Sequence, residues 1–291
     1  MLVTVETGLL STIRKNKTKD HLNKEDRSYQ NTRLSIQLSL NGLSFCITNL
    51  DRNEVIQSQQ IQYYQPIALS HLPEELLNFL DKHQVMNHNY QQVLVVHNNP
   101  WFSLVPSSLY DPNCLGDYLK YNAALLADDN PAIDYLVDLD IHSVYIPFTH
   151  VNNALLDRFS TFDFIHHSSA LLKKLYPVQK QLNSDKAYAY IEGHSMSLSI
   201  FKDKKLALFN VFEIQNPDEL LYYLLFSFEQ LALDPEIINL DLFGVINVND
   251  ANHKRICEFV KNVHFYIPEL PYQFNSSINV DQIELISLIA Q

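Results

Sequence analysis

One pattern constrains this chain more than any other: a strand-strand-strand-helix-strand order that occurs twice. In Leu34-Ser35-Ile36-Gln37-Leu38-Ser39-Leu40 apolar and polar residues alternate, the period of a strand with one buried face. Asn41-Gly42 follows, a dipeptide suited to a type I′ hairpin turn, where both residues take positive φ. Leu43, Phe45 and Ile47 alternate back, Asp51-Arg52-Asn53 turns again, and a third strand runs near Val55 to Ile61. Pro73-Glu74-Glu75 then opens a helix that sets Leu76, Phe79 and Leu80 on one face. Val93 to Val96 is a short strand of the buried type.

Residues 187 to 246 repeat the order. Ala187 to Glu192 is a strand, Gly193-His194 a turn, and Met196, Leu198 and Ile200 alternate with serines. Lys202 to Lys205 turn into a third strand, Leu206 to Phe212. Asn216-Pro217-Asp218-Glu219 combines an N-cap, a first-turn proline and a capping-box glutamate. That helix ends at Asp234-Pro235, and Leu240 to Val245 is the next strand. Gly42 and Gly193 take matching turns, and we read the recurrence as an internal duplication.

Between the copies the pattern predicts a helix over Tyr110 to Leu126, strands at Ile133 to Val137 and Val144 to Ile146, and a helix over Asn152 to Phe159. A strand at Phe162 to Ile165 and a helix at Ser168 to Leu175 follow. After the second copy come a helix near Ala251 to Lys261, a strand near Val263 to Ile267 and an amphipathic helix over Val280 to Ile289. Residues 1 to 31 are polar and aperiodic, and read as a loosely held arm. With 291 residues, two domains are expected. The best boundary is Pro177 to Asp185, giving residues 32–184 and 185–291.

Charge narrows the partners. The net charge of −12 disfavours nucleic acid and anionic membrane surfaces, both of which select for lysine and arginine. The basic run Arg14, Lys15, Lys17 and Lys19 is followed closely by Asp20, Glu25 and Asp26, as in a solvated tail. The most apolar stretch, Leu220 to Leu233, is shorter than a membrane span needs and contains Glu229. Cys46, Cys114 and Cys257 stand far apart, as in a reducing, cytoplasmic setting. No signal peptide is read at the N-terminus.

The doubled order, with strands and helices between the copies, resembles the actin-like ATPase superfamily, and in layout its bacterial cell-division and pilus-assembly members. The strings LSIQLSLNGLSF and YIEGHSMSLSIFKDKKLALFN more closely resemble an uncharacterised bacterial family with a degenerate actin-like fold, over about residues 32 to 275. The resemblance implies an α/β chain of two actin-like, ribonuclease H-like domains with an inter-domain cleft. In active members each copy opens with a strand ending Asp-x-Gly, two hairpin turns clasp the nucleotide phosphates, and the aspartates hold Mg²⁺. Here Gly42 and Gly193 match the glycines, yet Leu40 and Ile191 stand where the aspartates belong. A triphosphate needs its charge neutralised, and these positions offer aliphatic carbon. Glu192 is one residue off and faces the other side of its strand. The adenosine-side turn usually carries two glycines; Phe243-Gly244-Val245 keeps one. His166-His167-Ser168-Ser169 lies where relatives place an acid or amide for the attacking water. The resemblance thus implies a degenerate nucleotide cleft at Asn41, Gly42, Ser44, Gly193, His194, Ser195 and Gly244, with no catalytic residue, cofactor or metal assigned.

Other chemistries are weaker. Gly193-His194-Ser195-Met196-Ser197 is one glycine short of a nucleophile elbow, and a strand continues where that motif needs a helix. The twelve histidines contain no HExxH or His/Cys ligand spacing. His166 and His167 would face opposite ways on a strand and meet His97 or His194 only by accident of folding, so surface or capping positions are expected. Tyr222, Tyr223, Phe226 and Phe228 crowd one helix, read as buried, with a partner-binding face as the alternative. Trp101 is read as part of a packed loop, with an interface anchor as the alternative. The expectation is a non-enzymatic interaction or scaffold protein with an unknown protein partner, leaving room for a homodimer. The alternative is a nucleotide-binding regulator or ATPase using unconventional residues.

Overall fold

The computed structural model describes residues 3–6, 11–15, 31–123, 129–267 and 272–274. The chain divides into two compact units. Unit 1 takes the chain up to Lys173 together with the segment from Leu270, and unit 2 is Lys174–Glu269. The division falls some ten residues before the expected boundary.

Unit 1 opens with β1 (Val3–Glu6) and β2 (Ser11–Lys15). It continues through β3 (Thr32–Leu38), β4 (Gly42–Asn49), β5 (Glu54–Gln62), α1 (Leu72–Lys82) and β6 (Gln92–His97). The chain then builds a small antiparallel sheet from β7 (Phe102–Pro106), β8 (Ala132–Leu136) and β9 (Ile141–Tyr145). Helix α2 (Leu115–Leu119) lies between β7 and β8, and α3 (Thr149–Leu156) follows β9. Strand β10 (Thr161–His166) returns to the main sheet, and α4 (His167–Gln181) starts at the next residue. Unit 2 runs β11 (Lys186–Glu192), β12 (Ser195–Lys202), β13 (Lys205–Glu213), α5 (Pro217–Gln230), β14 (Asn239–Gly244), α6 (Ala251–Cys257) and β15 (Asn262–Phe265). Last, β16 (Gln273–Phe274) pairs parallel to β5 in unit 1.

The two sheets share one topology. Unit 2 is ordered β13-β12-β11-β14-β15, and the same order, β5-β4-β3-β6-β10, lies within the eight-stranded sheet of unit 1. In each, two antiparallel hairpins give way to parallel strands joined by helices. Such crossovers bury both sheet faces. In unit 2, Ala187, Ala189 and Ile191 meet Met196, Leu198 and Ile200 on one face, beneath Leu220, Leu224 and Phe228 of α5. The α5 cap is the one its sequence encodes: Glu219 N–H donates to Asn216 Oδ1 at 3.0 Å, and the Glu219 carboxylate accepts from Gln215 N–H at 2.9 Å.

Several expectations need correction. The first 31 residues hold two strands, which pair with each other, β2 also pairing with β10; valine and threonine in β1, and threonine and isoleucine in β2, favour strands. The helix expected over Tyr110 to Leu126 is reduced to α2, because Asp111 accepts from Asn113 N–H and turns the chain there; residues 124–128 lie outside the described set. Pro177 lies inside α4 rather than ending it, at the loss of one backbone bond. The helix expected over Val280 to Ile289 also lies outside the described residues. Asn41 and Gly42 do not take positive φ; the type I′ pair is Asp203-Lys204, at +51° and +63° between β12 and β13.

The three site glycines have separate structural reasons. A Cβ on Gly42 would lie 2.7 Å from the Ile61 carbonyl oxygen across the β4–β5 pair. Gly193 takes φ +55° in the two-residue turn between β11 and β12. Gly244, at φ +91°, would press a Cβ to within 2.2 Å of the Ile191 carbonyl oxygen. Gly244→Ala should therefore destabilise the chain by about 3 kcal/mol or more, because backbone on both sides must move. Gly193→Ala should lose only about 1–2 kcal/mol, the left-handed penalty alone. Urea denaturation of the two variants checks the ranking.

Candidate functional site

In open α/β sheets, ligands bind outside the carboxyl ends of the parallel strands. In unit 1 those ends are Leu38, His97 and His166, and they lie in register: Leu38 pairs with His97, and His97 with His166. The segments that follow, Ser39 to Gly42, Asn98-Asn99 and His167 to Ser169, form the candidate region.

Ser39 determines the first turn. Its Oγ accepts from the Asn41 and Gly42 N–H groups, each at 3.1 Å, and donates to the Gly42 carbonyl at 3.2 Å. The backbone N–H of Ser39 also donates to Gly42 O at 2.9 Å. The turn's amides are thus turned inward onto a buried hydroxyl. Leu40 sits in the same turn, its carbonyl accepting from Ile67 N–H. Ser44 is buried on β4, away from any surface.

The other two ends form one buried polar cluster. His166 Nε2 lies 3.0 Å from the Asn99 carbonyl, which can only accept, so Nε2 carries the proton. Nδ1 then accepts from Ser168, from the hydroxyl at 2.7 Å and from the N–H at 3.2 Å. Asn99 forks: its Nδ2 donates to Ile146 O at 2.9 Å and its Oδ1 accepts from Trp101 N–H at 2.9 Å. His97 Nδ1 accepts from Phe148 N–H at 3.2 Å, which leaves its Nε2–H facing Asn152 without reaching hydrogen-bond geometry. Asp134 enters from β8, whose alternation turns Ala132, Asp134 and Leu136 inward. Its carboxylate accepts from His166 N–H at 2.8 Å and from the Tyr145 hydroxyl at 3.2 Å.

Of the histidines expected at surface or capping positions, His97, His166 and His167 are fully buried, whereas His194 is exposed in the β11–β12 turn. The register of β6 and β10 puts His97 beside His166, and His167 belongs to a helix rather than a strand. The one signal that marks Asp134 is an acid on the apolar phase of an alternating strand. Ser168 and His166 make a serine–histidine contact, yet both are sealed from solvent and Asp134 holds main chain rather than the ring. The orienting relay of a nucleophilic triad is absent. Ser195 begins β12 and donates to the Glu192 carbonyl at 3.1 Å, so the strand continues where a nucleophile elbow would need a helix. No group of three His, Cys, Asp or Glu able to hold a metal occurs among the described residues.

The cluster positions an opening. Asn99, His97 and the backbone bond from Ile146 N–H to Trp101 O (3.0 Å) fix the segment Ile146–Thr149 against Trp101. Those residues line a cavity of about 530 Å³, with half-buried Trp101 edge-on to Phe148 at 5.7 Å and Asp129 and His150 among its polar groups.

In unit 2, Gly193, His194 and Ser195 gather with Gly244 at one end of the sheet. Ile191 pairs with Gly244, and Val245 N–H donates to Ile191 O at 2.7 Å. Ile191 is in the core and Glu192, buried at 4% exposure, faces the opposite side. Asn41, Gly42 and Ser44 belong to unit 1, and these four to unit 2.

A family model described as a protein of unknown function, DUF3822, matches residues 21–263. The chain belongs to that family. Its structure is similar to that of a Bacteroides thetaiotaomicron VPI-5482 protein described as having an actin-like ATPase fold and unknown function. The TM-score is 0.72, at 19% identity over 90% of this chain and 97% of that one. It is also similar to a chain of a PilM–PilN type IV pilus biogenesis complex, with TM-score 0.58, 12% identity, and 88% and 95% coverage. No curated protein matches the sequence. These likenesses show that this DUF3822 member has the actin-like fold. No helix among its described residues is long and apolar enough to cross a membrane.

Burial sets the protonation of the family member's cluster. It pushes His97 and His166 down to about 3 and His167 well below 6.5, and it pushes the Asp134 carboxyl up to about 7. Below about pH 6.5 the unfolded chain takes three protons that the folded histidines refuse, while folded Asp134 takes one that the unfolded chain refuses until about 3.8. From this cluster the unfolded state thus gains more protons than the folded one, and the cluster alone should make stability fall by roughly 3 kcal/mol per pH unit as pH drops from about 6 toward 4. Asp134→Asn removes the opposing proton and should steepen the loss to about 4 kcal/mol per unit. Urea titrations at pH 6 and 5 measure both slopes.

Proposed function

We propose that this DUF3822 member is a non-enzymatic interaction or scaffold protein built on a degenerate actin-like frame. The observation that carries the reading is the β3–β4 turn, whose Asn41 and Gly42 N–H groups donate to Ser39 Oγ. A phosphate clasp needs such donors aimed outward, and a donor already paired inside the fold gains little from turning to a ligand. Leu40 and Ile191 supply no anionic oxygen for a metal. Each retained glycine serves chain packing or turn geometry, so its presence is no argument for a nucleotide. The partner's place in this reading is the cavity beside Trp101, where aromatic side chains form an anchor of the kind that dominates protein interfaces. The neighbour's place in a pilus biogenesis complex fits a frame used for assembly.

A second reading is a nucleotide-binding regulator using the seven residues Asn41, Gly42, Ser44, Gly193, His194, Ser195 and Gly244. The observation that favours it is that Gly193, His194 and Ser195 gather with Gly244 at one end of the unit 2 sheet. Thermal denaturation with millimolar Mg·ATP or ADP separates the two. The scaffold reading expects no shift, whereas a nucleotide at 100 times its Kd would stabilise the chain by about 2.7 kcal/mol. For the scaffold itself, a partner retained by the native chain and lost from a folded Trp101→Ala variant is the expected result. Equal retention would remove the cavity from the proposal.

A further inference from the structure

The Asp134 carboxyl has two hydrogen-bonding states. Ionised, it only accepts, from His166 N–H at 2.8 Å and from the Tyr145 hydroxyl at 3.2 Å. Protonated, one of its oxygens becomes a donor and needs an acceptor. The fully buried Ser169 hydroxyl faces the carboxyl without reaching hydrogen-bond geometry, and is placed to serve as that acceptor. Around the carboxyl, β9 brings Tyr145, β10 the His166 ring, and α4 His167 and Lys173. The sequence of β2, which passes beside β8, includes Arg14 and Lys15. Burial keeps both histidines neutral, whereas it brings the Asp134 carboxyl up to about 7 against the pull of Lys173. Asp134 therefore changes charge in the neutral range while the histidines do not.

A bonded path leads from that carboxyl to the cavity. His166, whose N–H is held by Asp134, donates from Nε2 to the Asn99 carbonyl at 3.0 Å. Asn99 Oδ1 accepts from Trp101 N–H at 2.9 Å, and Asn99 Nδ2 donates to Ile146 O at 2.9 Å. Trp101 and Ile146 both line the cavity. His166 and Asn99 are buried, so a shift of the His166 backbone is passed on through packed neighbours rather than taken up by solvent.

We propose that Asp134 makes the Trp101 cavity responsive to pH, its ionisation tightening and its protonation loosening the bonded path that seats the cavity wall. The bond from His166 N–H to a carboxylate is charge-assisted, and stronger than one to a neutral carboxyl. Protonation weakens that bond and turns the carboxyl proton toward Ser169. The wall is held firmly above about pH 7 and less firmly below it. If the cavity takes a partner, binding weakens as pH falls. That consequence rests on the partner reading given above; the coupling of Asp134 to Trp101 does not.

Trp101 is the only tryptophan of the chain, so its fluorescence reports the cavity wall with no partner present. His150 lines the same cavity, and the full chain is therefore titrated as a His150→Gln variant, which removes the imidazole from the wall. The emission should change in a single-proton transition centred near pH 7. Asp134→Asn should abolish the transition. Lys173→Met removes the cation that favours the carboxylate and should raise the midpoint by about one pH unit; it carries the test if Asp134→Asn does not fold. A flat emission from about pH 6 to 8.5 overturns the proposal, as the neutral range is where Asp134 changes charge. So does a transition that Asp134→Asn retains, or a midpoint that Lys173→Met leaves in place. An intact transition with partner retention equal on both sides of it upholds the coupling and removes the cavity from the partner reading.

Discussion

Three remote stretches of unit 1 meet at one imidazole. His166 spends its Nε2 proton on the Asn99 carbonyl and its Nδ1 lone pair on Ser168, while its backbone N–H is held by Asp134. Only one neutral tautomer satisfies both ring nitrogens, and a protonated ring would turn a donor toward the Ser168 N–H. The ring therefore has one protonation state in the folded chain. Because the cluster is sealed, each bond in it is strong and each loss costs a full desolvation. The path of the chain past β6, the start of α4 and the seat of Ile146 through Thr149 all follow from it. A nearby Lys173 and the Tyr145 hydroxyl favour the ionised form of Asp134, but burial outweighs them and holds the carboxyl up to about 7.

That dependence bears on what the actin-like frame can do. The fold alone does not determine chemistry; the groups at the strand ends do. In unit 1 those groups have been matched to one another: Ser39 to its own turn, Asn99 to the next segment, His166 to both. A site that binds phosphate must leave donors waiting in water, whereas these have found partners within the fold. The glycines that look diagnostic in the sequence are accounted for the same way, since Gly42 and Gly244 each let one backbone approach another too closely for a Cβ.

The sequence made the repeated hairpins, their order and the α5 cap legible, because alternation and capping are local signals. The topology they share needed only those elements. What escaped was non-local. A type I′ turn at Asn41-Gly42 was a sound local expectation, but Ser39 Oγ and the close approach of Ile61 impose another geometry. Pro177 looked like a boundary, and tertiary packing carries a helix through it. The histidine cluster was hidden because no spacing rule connects residue 97 with 166; parallel register does so, and register is fixed only when the sheet forms. Asp134 was the nearest thing to a readable clue, an acid in the buried phase of a strand.

The two units differ most where the repeat is broken. Between β14 and β15 unit 2 has a single helix, α6, whereas between β6 and β10 unit 1 has β7, α2, β8, β9 and α3. Trp101, Asn99, Asp134, Tyr145 and the cavity wall Ile146–Val151 all lie in that longer stretch. The repeated part of each unit supplies a sheet with its strand ends aligned, and closes its own turns. The unrepeated part supplies an aromatic cavity and the buried polar bonds that hold it in place. In the proposed reading, that unrepeated stretch, where the half-buried tryptophan sits, is the place at which such a frame carries its binding surface.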